Sequence, residues 1–113
     1  MDAAQLKVEF AQTALDKYAK GARLQSRRNA EIEITNVLES LKINEERFEW
    51  TKELYKKGYE TKANLDKDQL AVSQTTLKLE QTRKALWMLE TFDEPKKQRQ
   101  LQALLQEAQE TLR

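Results

Sequence analysis

Apolar residues recur every seven positions before Gly58, at Ile34, Leu41, Phe48 and Tyr55, and again after it, at Leu65, Val72, Leu79 and Leu86. A seven-residue period returns one stripe of an α-helix to the same face every two turns, which is the pattern of helices packed in a coiled coil. Folding the chain back near Gly58, about residue 60, sets Tyr55 opposite Leu65, Phe48 opposite Val72, Leu41 opposite Leu79 and Ile34 opposite Leu86. One fold-back point satisfies all four pairs, as antiparallel helices require. The companion row sets Ala30, Val37, Asn44 and Thr51 against Leu89, Thr82, Thr75 and Asp68. It is much more polar, and is expected to be the poorer side of the seam. Toward the termini, Ala4, Val8, Ala11, Leu15 and Tyr18 follow the alternating spacing of a coiled-coil seam, as do Leu101, Leu105, Ala108 and Leu112.

Three places punctuate this pattern. Lys56-Lys57-Gly58-Tyr59 reads as a helix end, because Gly accepts the left-handed conformation and Lys complements the C-terminal dipole. Thr61 reads as the next N-cap, its hydroxyl facing the backbone N–H of Asn64, with Asp66 adding favourable charge near the first turn. The other two breaks are expected at Lys20-Gly21-Ala22 and at Phe92-Asp93-Glu94-Pro95. They lie equally far from Gly58 along the chain, so in a hairpin they face each other. The register of the seam shifts there, a stutter that locally unwinds or bends a coiled coil. The expected fold class is all-α: one long antiparallel two-stranded coiled-coil hairpin over residues 1–113. Its helices run about 2–20, 23–57, 61–91 and 95–113, with a tip at 57–61 and a paired mid-length interruption.

Composition agrees with long helices, since 113 residues include Gly 2 and Pro 1. The 20 basic and 19 acidic residues are interleaved, so no basic stripe suggests nucleic acid. The densest basic cluster, Arg23, Arg27 and Arg28, is followed by Glu31 and Glu33 and reads as a solvated helix face, with a weak polyanion contact as the alternative. With no Cys and no His, the commonest nucleophile, the commonest general base and the soft metal ligands are missing, so neither an enzyme, a metal site nor a cofactor is expected. Glu45, Glu46 and Glu49 stand beside Arg47 and Lys52 and read as helix-surface ion pairs. The longest apolar run, Ala85 to Leu89, is far shorter than the roughly 20 residues of a bilayer span. The N-terminus carries no signal-peptide pattern.

Some apolar residues lie outside the seam. Ile43 and Trp50 on one helix and Leu70 and Leu77 on the other stand at matching heights. They read either as scattered surface positions or, the reading favoured here, as a lateral contact with another copy. Trp87, Met88 and Phe92 are expected to pack around the break before Pro95.

The run from Glu49 to Asp66 resembles the hairpin tip of HlyD-like membrane fusion proteins, or periplasmic adaptors, whose pattern is Arg, Leu, Ser, Lys and then an acidic residue. Leu54, Lys62 and Asp66 match it, Thr61 stands for Ser, and Trp50 stands for Arg. Leu89-Glu90-Thr91-Phe92-Asp93-Glu94-Pro95-Lys96 is also similar to a branch of this family in which an aromatic and Pro segment interrupts the returning helix. The resemblance implies a hairpin excised from a protein with lipoyl-like and β-barrel domains. It further implies a periplasmic location, with the parent anchored to the inner membrane, and a bridge from an inner-membrane transporter to a TolC-like outer-membrane channel in efflux or type I secretion. Other copies would pack side by side, the tip residues Trp50, Leu54, Gly58, Thr61 and Lys62 would meet the channel, and the missing domains would meet the transporter. No small-molecule substrate is expected. The alternative is a cytoplasmic coiled-coil scaffold or spacer unrelated to transport.

Overall fold

The computed structural model describes residues 2–113, and the fold is all-α, an antiparallel helical hairpin. Helix α1 (Ala3–Lys17) runs into a π-helical turn, Tyr18–Ala22, and then into α2 (Arg23–Lys56). After the tip, α3 (Lys62–Met88) runs through a second π turn, Leu89–Asp93, into α4 (Glu94–Leu112). Packing divides the chain into two units, Ala30–Ala85 and the pair of segments Met1–Asn29 and Leu86–Arg113. Asp2 starts α1 with a capping box, its carboxylate accepting from the Gln5 N–H at 2.9 Å while the Gln5 side chain accepts from the Asp2 N–H at 3.2 Å. Among the described residues no helix is long and apolar enough to cross a membrane.

In the unit Ala30–Ala85, α2 and α3 meet in the register read from the heptads. Thr51 donates to Asp68 Oδ2 at 2.6 Å and the Asn44 amide donates to Thr75 Oγ1 at 2.7 Å, so each polar residue meets the partner opposite it. The polar row proves to be the better buried one. Val37 is 3% and Thr51 5% exposed, whereas Ile34, Leu41, Phe48, Leu65 and Val72 on the apolar row are half-buried, Tyr55 is exposed, and Leu79 is buried. This corrects the expectation of a poor core on that side. Short side chains such as Val and Thr let two backbones approach and are then covered by them. Longer side chains such as Leu41 and Phe48 reach past the seam and keep part of their surface wet, whereas Leu79 is covered.

In the other unit the seam consists of Ala4, Val8, Ala11, Leu15 and Tyr18 against Leu101, Leu105 and Ala108, with Leu101 and Ala108 buried and Leu112 exposed. Glu94 is only 4% exposed. Its carboxylate takes both Nε and Nη2 of Arg27, the shortest contact being 2.7 Å, and its carbonyl accepts from the Tyr18 hydroxyl at 3.5 Å. A carboxylate taken out of water needs such a forked donor to offset its lost hydration. Burial is also the first cause, ahead of the Glu94 charge, that raises the Tyr18 phenol above its ordinary value.

The paired interruption expected at Gly21 and Pro95 is present as two π turns, Tyr18–Ala22 and Leu89–Asp93, and not as helix ends. The backbone stays helical through both, and it widens. The Arg23 N–H reaches back to the Tyr18 carbonyl and the Glu94 N–H to the Leu89 carbonyl, bonds one residue longer than those of an α-helix. The inward-facing positions explain the widening, because the steps from half-buried Leu15 to half-buried Arg23 and from half-buried Leu86 to buried Glu94 are each one residue longer than a heptad. Each π turn absorbs that residue, so the seam keeps facing inward on both sides of it. The second turn also accommodates Pro95 at the start of α4, where a regular α-helix would press the ring against the carbonyl of Thr91. Gly21 adds only the cost of about 1 kcal/mol that Gly has in a helix, which packing outweighs.

Trp87, Met88 and Phe92 flank the irregular segment as expected, but nothing covers them there. All three are exposed, and the Trp87 and Phe92 rings meet edge to face with centroids 5.4 Å apart on the outer side of the π turn.

Thr51→Ala is expected to lower stability by about 1–3 kcal/mol, because it leaves a half-buried Asp68 without its donor. Thr51→Val with Asp68→Leu, which removes both partners, is expected to be near neutral. Urea unfolding of the single and double variants measures the coupling, and zero coupling would make the hydrogen bond incidental. Deleting Thr91 removes the extra residue and returns Pro95 to an α-helical interior, at an expected cost of about 3 kcal/mol. Adding Pro95→Ala is expected to restore the melting temperature, and a deletion that is harmless by itself would refute this account of the turn.

Candidate functional site

The tip is built by the backbone. Gly58 adopts φ +81°, the Gly58 N–H bonds the Tyr55 carbonyl at 3.0 Å, and the Tyr59 N–H bonds the Leu54 carbonyl at 2.8 Å. These two bonds form a Schellman motif, which satisfies carbonyls left open at the end of α2. A Cβ on Gly58 would meet nothing within 4 Å, so the constraint there is the positive φ and not crowding. Three residues on, Thr61 Oγ1 accepts from the Asn64 N–H at 3.1 Å and caps α3.

Glu60 was not singled out in the sequence, yet it ties the turn together. Its Oε1 accepts from the Asn64 amide at 2.6 Å and from the Thr61 N–H at 2.9 Å. Those bonds, the Asn64 side chain first and the Thr61 backbone second, hold the Glu60 carboxyl below its ordinary 4.5. Lys62 pairs with Asp66 at 3.0 Å one turn along α3, and that hydrogen bond, followed by the Asp66 charge, raises the Lys62 ammonium above its ordinary 10.5. The signal for Glu60 was its place beside the cap, one residue before Thr61.

Leu54, Gly58, Thr61 and Lys62 therefore gather at one solvent-facing turn, with the Leu54 side chain half-buried and Tyr59 exposed beside it. Trp50 lies one turn before Leu54 on α2 and is 67% exposed. Glu49 pairs with Lys52 at 3.1 Å, and the Lys52 ammonium sits 5.1 Å from the Phe48 ring centre. The acidic group read as surface ion pairs thus includes an observed one.

Ile43, Trp50, Leu70 and Leu77 are all exposed. At about 100° per residue, Ile43 and Trp50 project roughly 130° from the seam midline and Leu70 and Leu77 roughly 170° from it. They are thus on opposite outer edges of the helix pair and do not touch one another. Each edge carries two large apolar side chains exposed to solvent.

The class that fold and tip define is an antiparallel helical hairpin with a hydrogen-bonded turn and exposed apolar edges. Compared with family models, curated proteins and solved structures, the chain matches none.

The tip is expected to be most stable between pH 4.5 and 10.5. Glu60, whose pKa is lowered on folding, contributes above 4.5 and loses its contribution as pH falls through its lower folded value. Lys62, whose pKa is raised, contributes below 10.5 and loses it as pH rises through its higher folded value. Amide exchange at Asn64 and Leu65 reads both limbs. Glu60→Gln is expected to remove the acid limb alone, and an unchanged acid limb would assign it to another carboxylate.

Proposed function

We propose that this hairpin is the spacer and docking arm of a periplasmic adaptor of the HlyD-like kind, whose parent bridges an inner-membrane transporter to a TolC-like outer-membrane channel. The observation that carries the reading is the tip. A turn held by three backbone and side-chain devices within a few residues is more fixed than a plain spacer needs, and it presents the Leu54, Thr61 and Lys62 positions of the adaptor pattern. Docking is then a matter of shape, with the hydrogen-bonded turn preorganised so that little ordering entropy is lost on contact. Trp50 replaces the Arg of that pattern, so the surface it meets is apolar or aromatic instead of a carboxylate.

The outer edges suit this assembly. Edge residues on opposite sides of a helix pair, at matching heights, contact different neighbours, which is the heterologous arrangement that closes into a ring without axial offset. Ile43 and Trp50 of one copy would meet Leu70 and Leu77 of the next.

The test is made on the parent protein in cells. This chain has no Cys, so Leu54→Cys offers one thiol here, and cross-linking is expected to join it to an outer-membrane channel. Deleting Lys57 to Glu60 is expected to abolish the adduct while helicity by circular dichroism persists. Trp50→Lys with Leu77→Lys is expected to leave the isolated hairpin folded but to abolish the higher oligomer and export. A parent that fractionates with the cytoplasm and forms no channel adduct would select the scaffold reading instead.

A further inference from the structure

Away from the tip, α1 and α4 share a groove that runs along one side of their seam, with the seam residues Ala11 and Ala108 at its base. Its floor is the small side chains Ala11, Ala14 and Ala108, and Phe10 and Leu104 stand beside it. Phe10 is 69% and Leu104 55% exposed, so the groove carries two large apolar side chains open to solvent on one face. Lys7 and Glu107 line the same groove from α1 and α4 respectively, and among the described residues neither has an ion-pair partner within the chain.

We infer that this groove is a self-association surface, occupied by the same groove of a second copy. The argument is complementarity under a two-fold axis parallel to the helices. Such an axis lays α1 of one copy on α4 of the other at the same height. Phe10 of each copy is then carried toward Leu104 of its partner, over the alanine floor, which leaves space for a ring. Lys7 of each copy is carried toward Glu107 of the other, twice, because the interface is isologous. Opposite charges on α1 and α4 are what such an axis converts into two attractive pairs, whereas like charges would give two repulsive ones. The surface is distinct from the outer edges at Ile43, Trp50, Leu70 and Leu77, and it does not rest on the adaptor reading.

Its size fixes how strong the association is. Helix α1 has 15 residues, so the face is roughly 22 Å long and two helices, about 20 Å, wide. Two such faces bury on the order of 900 Å², below the roughly 1,200 Å² at which stable interfaces begin. The dimer is therefore a weak one, populated at high concentration.

Sedimentation equilibrium of the 113-residue chain, from a few micromolar to about a millimolar, tests this. The expected result is a monomer that converts reversibly to a dimer. Lys7→Glu or Glu107→Lys alone is expected to weaken the dimer about tenfold or more, since each creates two like-charge contacts. The double reversal is expected to restore it, and Phe10→Gln to abolish it with no change in helicity. A chain that stays monomeric throughout overturns the inference. So does a dimer indifferent to the single reversals, one that the double reversal does not rescue, or one lost with Trp50→Lys and Leu77→Lys but kept with Phe10→Gln.

Discussion

A helix pair can hide only one stripe of each helix, and the rest of this structure follows from that shortage of buried surface. Buried apolar residues number four among those described, Val37, Leu79, Leu101 and Ala108. With so little hydrophobic driving force, polar groups that enter the seam must be satisfied there. Thr51 and Asp68, Asn44 and Thr75, and Arg27 and Glu94 each meet across two helices at 2.6 to 2.8 Å. Such pairs add modest net stability, but leaving one member unpaired is costly. Their larger effect is on register. Sliding one helix along the other would orphan them, whereas a purely apolar seam tolerates slippage.

The same seam explains the π turns. A helix pair stays in contact only while the contacting residues keep to the heptad period, and one extra residue would rotate everything beyond it by about 100°. Both helices of the unit carry such a residue, and both take it up within a single wide turn. Rotation is thereby avoided at the expense of a few poorer hydrogen bonds. The exposed Trp87 and Phe92 pair is a by-product: residues five apart lie on nearly the same side of a π turn and on different sides of an α-helix.

Function is left to what the seam does not consume. The turn is fixed by Gly58, Thr61 and Glu60, and the apolar residues on the outer edges and over the α1 and α4 groove have no partner within the chain that covers them. In a protein with a deep core such residues would be surplus. On a two-helix hairpin they are the apolar surface left over once each helix has hidden its one stripe, and the proposed contacts with other copies draw on them.

What the sequence determined by itself is whatever depends on local spacing. The period of Ile34, Leu41, Phe48 and Tyr55, its mirror in Leu65, Val72, Leu79 and Leu86, the turn at Gly58 and the Thr61 cap are all set by neighbours along the chain. Pairing followed from the turn, because a tight hairpin leaves one antiparallel register, and Thr51 with Asp68 and Asn44 with Thr75 realise it. The tertiary structure decided which row lies deepest. Chemical type pointed to the apolar row, but closeness of two backbones is governed by side-chain length, and Val37 and Thr51 are short. It also decided that Gly21 and Pro95 end no helix, the backbone continuing through both by way of a π turn. Their local tendency to interrupt costs a few kcal/mol at most, and the seam on either side, which must stay in phase, outweighs it by widening one turn in each helix.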